Sequence, residues 1–184
     1  MLLSNIADLL EIEEHNVELT KQYFFEDVLF SYQWWLLLGI MIALWSVWFI
    51  LVDKQRMLSI LLAGCISSLI TFVLDDTGRS LHLWFYPHQL TYFSWQFYPV
   101  DLAVIPVCYM ILYQYIGRWK WFLTTLILLS LFAAFLVEPL FVLLDLYVLI
   151  HWEHIYSFPF YILIGVIVKW LTDRVTKGSN TSYR

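Results

Sequence analysis

The sequence predicts an all-α polytopic transmembrane bundle of about five spans, with two further interfacial or re-entrant segments. Three observations predict it. Of the 184 residues, 61% are hydrophobic and only 14% charged, against roughly half and about a quarter in a soluble domain. Aromatic residues, counted within that hydrophobic share, make up 20% of the chain, which excludes disorder and suits the amphipathic rings that gather at membrane faces. Finally, the apolar residues fall in stretches near the ~20 that a helix needs to cross ~30 Å of hydrocarbon.

Residues 1–32 form an acidic segment, with Asp8, Glu11, Glu13, Glu14, Glu18, Glu26 and Asp27 against a lone Lys21. Leu2, Leu3, Ile6, Leu9, Leu10 and Ile12 recur near helical spacing. An amphipathic helix on the outer face is expected, and a docking surface for a partner is the alternative. A cleavable signal peptide would open with positive charge, so none is expected.

Residues 33–171 make up the transmembrane domain. Gln33 to Val52 is the first span, stopped by Asp53-Lys54-Gln55-Arg56. Met57 to Leu74 is the second, ending at Asp75-Asp76-Thr77-Gly78-Arg79, where a glycine turn is expected. Val100 to Gly117 is the third, Trp121 to Val137 the fourth and Ile155 to Leu171 the fifth. Residues 172–184 are read as a polar cytoplasmic tail. Two pieces fit no span. Residues 81–97 mix aromatics with Pro87, two His and two Gln, and residues 139–152 are too short to cross and carry Asp145. Both are expected at the interface or as re-entrant turns.

Charge sets the orientation. With five spans and the Lys54/Arg56 loop inside, Arg118, Lys120, Lys169, Arg174, Lys177 and Arg184 fall on the same side, leaving Lys21 and Arg79 outside. That arrangement obeys the positive-inside rule, with the N-terminus out and the C-terminus in the cytoplasm. The partner it demands is a lipid bilayer. A net charge of −5 makes nucleic acid a poor partner.

Nearly every remaining ionisable group then lies at the outer side, where a charge avoids the cost of the bilayer centre. Asp76, Glu153 and His154 are read as a solvated rim. Asp75, Asp101 and Glu138 come from the ends of three different spans at similar depth. They are the candidate ligand-binding groups, able to pair with Arg79, share protons or enclose a cation. Glu138, just before Pro139, could alternatively cap a short following helix. Tyr109 and Tyr156 complete an aromatic–carboxylate pocket that suits a cationic or amine ligand. His82, His88, His151 and His154 raise the question of a metal, but no HExxH or CxxC spacing occurs, and neither metal nor other cofactor is expected. Cys65 and Cys108 lie in apolar runs as core residues. No GxSxG supports Ser94 or Ser157 as a nucleophile, and no glycine loop could cradle phosphate.

Several strings together resemble a known family: Asp75-x-x-Gly78, Leu83-Trp84-Phe85-Tyr86-Pro87, Asp101-Leu102, Pro106-x-x-Tyr109-x-x-x-Tyr113-Gln114-Tyr115, Trp119-Lys120, Glu138-Pro139, Trp152, Tyr156-Ser157-Phe158-Pro159, Gly165 and Lys169-Trp170. The resemblance covers about residues 45–171. It is to an uncharacterised family of small polytopic membrane proteins from spore-forming Gram-positive bacteria, and it implies a membrane location without an activity. The leading functional expectation is binding or transport of a cation, proton or small polar ligand at the outward carboxylate pocket. The alternatives are a non-catalytic subunit or scaffold packed against another membrane protein, and a membrane-embedded lipid- or isoprenoid-modifying enzyme. For the enzyme only Asp75-Asp76 approaches a metal-binding motif, so the reading leans away from catalysis.

Overall fold

The computed structural model describes residues 2–93 and 97–181. Seven helices run in order: α1 Leu2–Tyr23, α2 Tyr32–Leu51, α3 Met57–Ser80, α4 Ile105–Tyr115, α5 Trp119–Phe132, α6 Glu138–Leu143 and α7 His154–Thr181. Two-residue strands β1 (Trp84–Phe85) and β2 (Val148–Leu149) complete the described elements. Ser94 and Arg184, weighed above, lie outside the described residues.

Four helices are long and apolar enough to cross a membrane: Tyr32–Leu51, Met57–Ser80, Trp119–Leu143 and His154–Thr176. The third expected span, Val100 to Gly117, is a shorter apolar helix, Val100–Tyr115. Its brevity has a packing reason. This segment touches α2, α3, α5 and α7 and buries Pro106, Val107, Tyr109, Met110, Leu112 and Tyr113. A helix surrounded by protein need not match the thickness of lipid.

Two π turns let the chain run straight through prolines. Val100–Val104 leads into α4 just before Pro106, and Ala133–Val137 joins α5 to α6 just before Pro139. Proline lacks an N–H and its ring crowds the preceding turn, so widening that turn keeps the axis continuous. Glu138 therefore caps no separate helix. It sits inside one long α5–α6 rod, contrary to the capping expectation.

The second span also runs further than expected. No turn forms at Gly78; α3 continues to Ser80, then ends with His82 at φ 54°. His82 N–H donates to the Arg79 carbonyl (2.9 Å) and Leu83 N–H to the Gly78 carbonyl (2.9 Å), the doubled closure of a left-handed helix end. α6 ends identically: Asp145 at φ 57° donates to Val142 (3.1 Å) and Leu146 to Phe141 (2.9 Å). Each left-handed residue's carbonyl meets a histidine Nδ1, His151 on His82 (3.1 Å) and His88 on Asp145 (2.9 Å). A carbonyl only accepts, so Nδ1 carries the proton in both. The two segments that fit no span thus meet each other. They pair antiparallel as Trp84↔Leu149 and Phe85↔Val148 across one end of the bundle.

At the opposite end the 53–56 loop and the end of α4 lock together. Gln114 Nε2 donates to the Leu51 carbonyl (2.8 Å), its Oε1 accepts from Asp53 N–H (3.0 Å), and Arg56 Nη1 donates to the Gln114 carbonyl (3.1 Å). Lys169 lies in this half, 2% exposed, with its Nζ 5.0–5.3 Å from the rings of Tyr113, Trp119 and Phe122. Asp173 stands 3.6 Å from it and also accepts from Tyr113 Oη (3.1 Å). Between the two ends Ile60, Ala63, Val107, Met110, Leu126, Ile164 and Val168 form the core. A side chain at Gly64 would meet Met110 Sδ at 2.6 Å, so glycine there lets α3 and α4 close. The small residues Ala63, Gly64 and Ala134 are buried inside the bundle.

α1 forms as expected, but its described side chains from Ile6 to Leu19 are all exposed. It packs against the π turn Phe24–Val28 that follows it, and at its end Thr20 and Tyr23 lie beside Pro87, Gln89 and Tyr92. Phe24 and Val28 themselves are buried. Within the polar tail the described residues are helical, since α7 continues to Thr181.

Candidate functional site

The chain alternates direction through α2, α3, α4, α5–α6 and α7. The end of α3, the start of α4, the end of the α5–α6 rod and the start of α7 therefore gather at one pole. Between them lies a cavity of about 600 Å³, and Asp75, Asp101, Glu138 and Tyr109 all line it. Three carboxylates from three helices share one chamber.

Asp75 is 6% exposed. Its Oδ1 accepts from Trp84 Nε1 at 2.9 Å and from Tyr86 Oη at 2.6 Å. Residues two apart on a strand project to the same side, so the extended 84–86 segment delivers both donors together. Gly78 makes this approach feasible. It sits one turn beyond Asp75, and a Cβ there would overlap the far edge of the Trp84 indole. Tyr86 is stacked on Phe97 (centroids 4.3 Å) and Tyr147 (5.5 Å). Burial raises the Tyr86 phenol well above its ordinary range, and the Asp75 charge raises it further. It therefore stays a neutral donor. Tyr147 is raised too, first by burial and then by the charges of Glu138 and Asp75. One ring feels both carboxylates.

Asp101, 3% exposed, sits in the π turn before α4 and within electrostatic reach of Asp75. Among the described residues, Asp101 Oδ2 and Asp75 Oδ2 are buried without a hydrogen-bond partner. Glu138 is satisfied on both oxygens: Oε1 accepts from Tyr161 Oη at 2.6 Å, and Oε2 meets His154 Nδ1 at 2.8 Å. Tyr109 Oη donates to the Tyr161 carbonyl at 2.7 Å, tying α4 to this pair.

The remaining sequence-selected residues fare differently. Tyr156 is 47% exposed, packs beside Trp152 and does not line the cavity. Its role falls to Tyr161. The signal was available: His154, Ser157, Tyr161, Ile164 and Val168 follow one stripe at helical spacing, and Tyr156 lies off it. His154 belongs to that stripe; it does not line the cavity and stays partly exposed at the rim, but its Nδ1 meets Glu138. Asp76 and Glu153 are exposed, as expected. Arg79 is half-buried one turn past Asp75, close enough for its charge to act there, but not among the lining residues. Trp84, Tyr86 and Tyr147 were not selected at all. Among the described residues, no group of three or more His, Cys, Asp or Glu is placed to hold a metal ion.

The rest of the wall is mostly apolar, with Leu74, Leu83, Val104, Leu129, Phe132 and Phe160 among its residues, and carries the hydroxyls of Thr71, Thr77, Ser130 and Ser157. The chamber's few convergent polar groups and its volume, within the ~300–1,000 Å³ of known ligand sites, give it the size and lining of a small-molecule pocket. No protein-family model, curated protein or solved structure matches the chain.

Proposed function

We propose that this integral membrane protein binds a small cationic or donor-rich ligand in the carboxylate chamber, as a binding protein or carrier. The observation that carries the reading is the convergence of Asp75, Asp101 and Glu138 on one cavity, with an unpaired buried oxygen on two of them. Removing two acceptor oxygens from water and leaving them unpaired costs roughly 1–3 kcal/mol each, more for charged groups. A ligand that donates to them recovers that cost. The pole opposite the cationic loops is assigned to the outside on the positive-inside rule, which leaves the chamber facing outward. We further propose membership of the spore-former family, because Asp75, Gly78, Trp84, Tyr86, Asp101, Tyr109 and Glu138 belong to the resembling strings and also build the chamber.

The test is calorimetric. Hexylamine is titrated into protein in phosphatidylcholine nanodiscs, with hexanol as the neutral control. Saturable binding of the amine, absent for hexanol and lost in Asp101→Asn but kept in Asp76→Asn, is expected. Equal binding by wild type and Asp101→Asn would remove the reading. A second reading, a subunit of a larger membrane complex, rests on the exposed run of α1 from Ile6 to Leu19. Co-purification of one stoichiometric membrane protein that is lost on deleting residues 1–22 would support it.

A further inference from the structure

Four of the residues that line the chamber are also exposed on the outside of the molecule: Thr77, Leu81, Phe132 and Phe160. They come from α3 and the residue that follows it, α5 and α7, and their depths are informative. Phe132 lies near the middle of the Trp119–Leu143 rod, roughly 20 Å along from Trp119 at ~1.5 Å per residue. Phe160 lies well inside the His154–Thr176 span. Surface at that depth faces acyl chains, not water. The chamber therefore reaches the surface both at the end of α3, through Thr77 and Leu81, and at mid-span depth, through Phe132 and Phe160, while Asp75, Asp101 and Glu138 sit towards the membrane face; the mid-span opening is the one that meets hydrocarbon.

Building on the binding function above, we propose that the ligand is a single-chain amphiphile with a primary or secondary ammonium head, taken laterally from the bilayer. The head is specified by the wall. Asp75 Oδ2 and Asp101 Oδ2 are both buried and unpaired among the described residues, and each needs an N–H or O–H donor. An ammonium with its own hydrogens supplies charge and donors together; a quaternary ammonium supplies charge alone. The tail is specified by the lining, in which Val104, Leu129, Phe132, Val137 and Phe160 offer only apolar contact. The number of chains follows from size, since about 600 Å³ is the room of one drug-sized molecule. A tail moving from lipid to this wall exchanges one apolar setting for another. Selectivity accordingly resides in the head, and the tail decides that the ligand arrives from the membrane.

The test uses the full chain in phosphatidylcholine nanodiscs, with bound adducts counted by native mass spectrometry and stability followed by thermal melting. Tetradecylamine should give one saturable adduct and raise the melting temperature. Tetradecanol and tetradecyltrimethylammonium should bind at least tenfold more weakly at equal mole fraction, and a diacyl phosphatidylethanolamine should not displace the amine. Asp101→Asn and Asp75→Asn should each lose tenfold or more, and Asp76→Asn should match wild type. Equal binding of all three tetradecyl compounds would overturn the assignment of the head. Displacement by the diacyl lipid would overturn the single chain. If butylamine from the aqueous phase binds as tightly as tetradecylamine and still depends on Asp101, the chamber takes a water-borne cation; the lateral proposal then fails while the binding function stands. The comparison among ligands on wild-type protein decides the matter even if a variant does not fold.

Discussion

Gly78 offers a test in which two lines of physical reasoning predict opposite signs. It lies inside α3, where Gly→Ala normally stabilises a helix by about 1 kcal/mol. Its own contacts argue the reverse. A Cβ would overlap three outer atoms of the Trp84 indole, and these belong to the part of the ring that reaches over α3. Moving the ring breaks the 2.9 Å bond from Trp84 Nε1 to Asp75, worth about 1.5–3 kcal/mol for a charged acceptor. It also disturbs the edge contact of Trp84 with Trp152, centroids 5.1 Å apart, worth about 0.5–1.5 kcal/mol. After the gain in helix propensity the expected net loss for Gly78→Ala is about 1–3 kcal/mol. At ~2–4 °C per kcal/mol for a chain of this size, thermal melting in detergent should fall by about 3–10 °C. Trp84→Phe removes the outer atoms and the N–H together, so adding Gly78→Ala to that background should cost nothing further. A rise of ~2–4 °C for Gly78→Ala alone, or the same loss in both backgrounds, would refute the account of how Asp75 is held.

Three further outcomes follow from the packing. Deleting residues 1–22 should leave the melting temperature unchanged, whereas deleting 1–28 should lower it, because Phe24 and Val28 are buried and each contributes about 1.5–3 kcal/mol of burial; equal melting of the two truncations would contradict this. Lys169→Ala should destabilise by about 2–4 kcal/mol through lost contact with Tyr113, Trp119 and Phe122, and Lys169→Met, which keeps the stem, should cost less than half as much; an alanine variant that melts like wild type would show the cage to be idle. With Cys65 and Cys108 replaced by alanine, single cysteines at Leu10 and Phe93 should react with an impermeant maleimide from outside, and those at Gln55 and Lys120 only after lysis. Labelling of position 120 from outside would reverse the proposed orientation.

Composition and apolar run length were enough to establish a helical membrane bundle, because crossing hydrocarbon forces every backbone polar group into a helix. They also singled out Asp75, Asp101 and Glu138, which the fold brings to one cavity, since a carboxylate in an apolar chain is costly wherever it is not used. Periodicity, pressed further along α7, would have selected Tyr161 and His154 in place of Tyr156. The other features depended on contacts that no local pattern carries. Proline and glycine read as breaks at Pro139 and Gly78, yet a π turn absorbs the first and an indole from another segment occupies the space left by the second. Likewise Trp84 and Tyr86 read as interfacial aromatics until β1 pairs with β2, 63–65 positions away in the chain, and turns both donors onto one carboxylate. Local sequence sets which groups are expensive to bury. Only the meeting of distant segments decides which of them share a cavity and which are left without a partner.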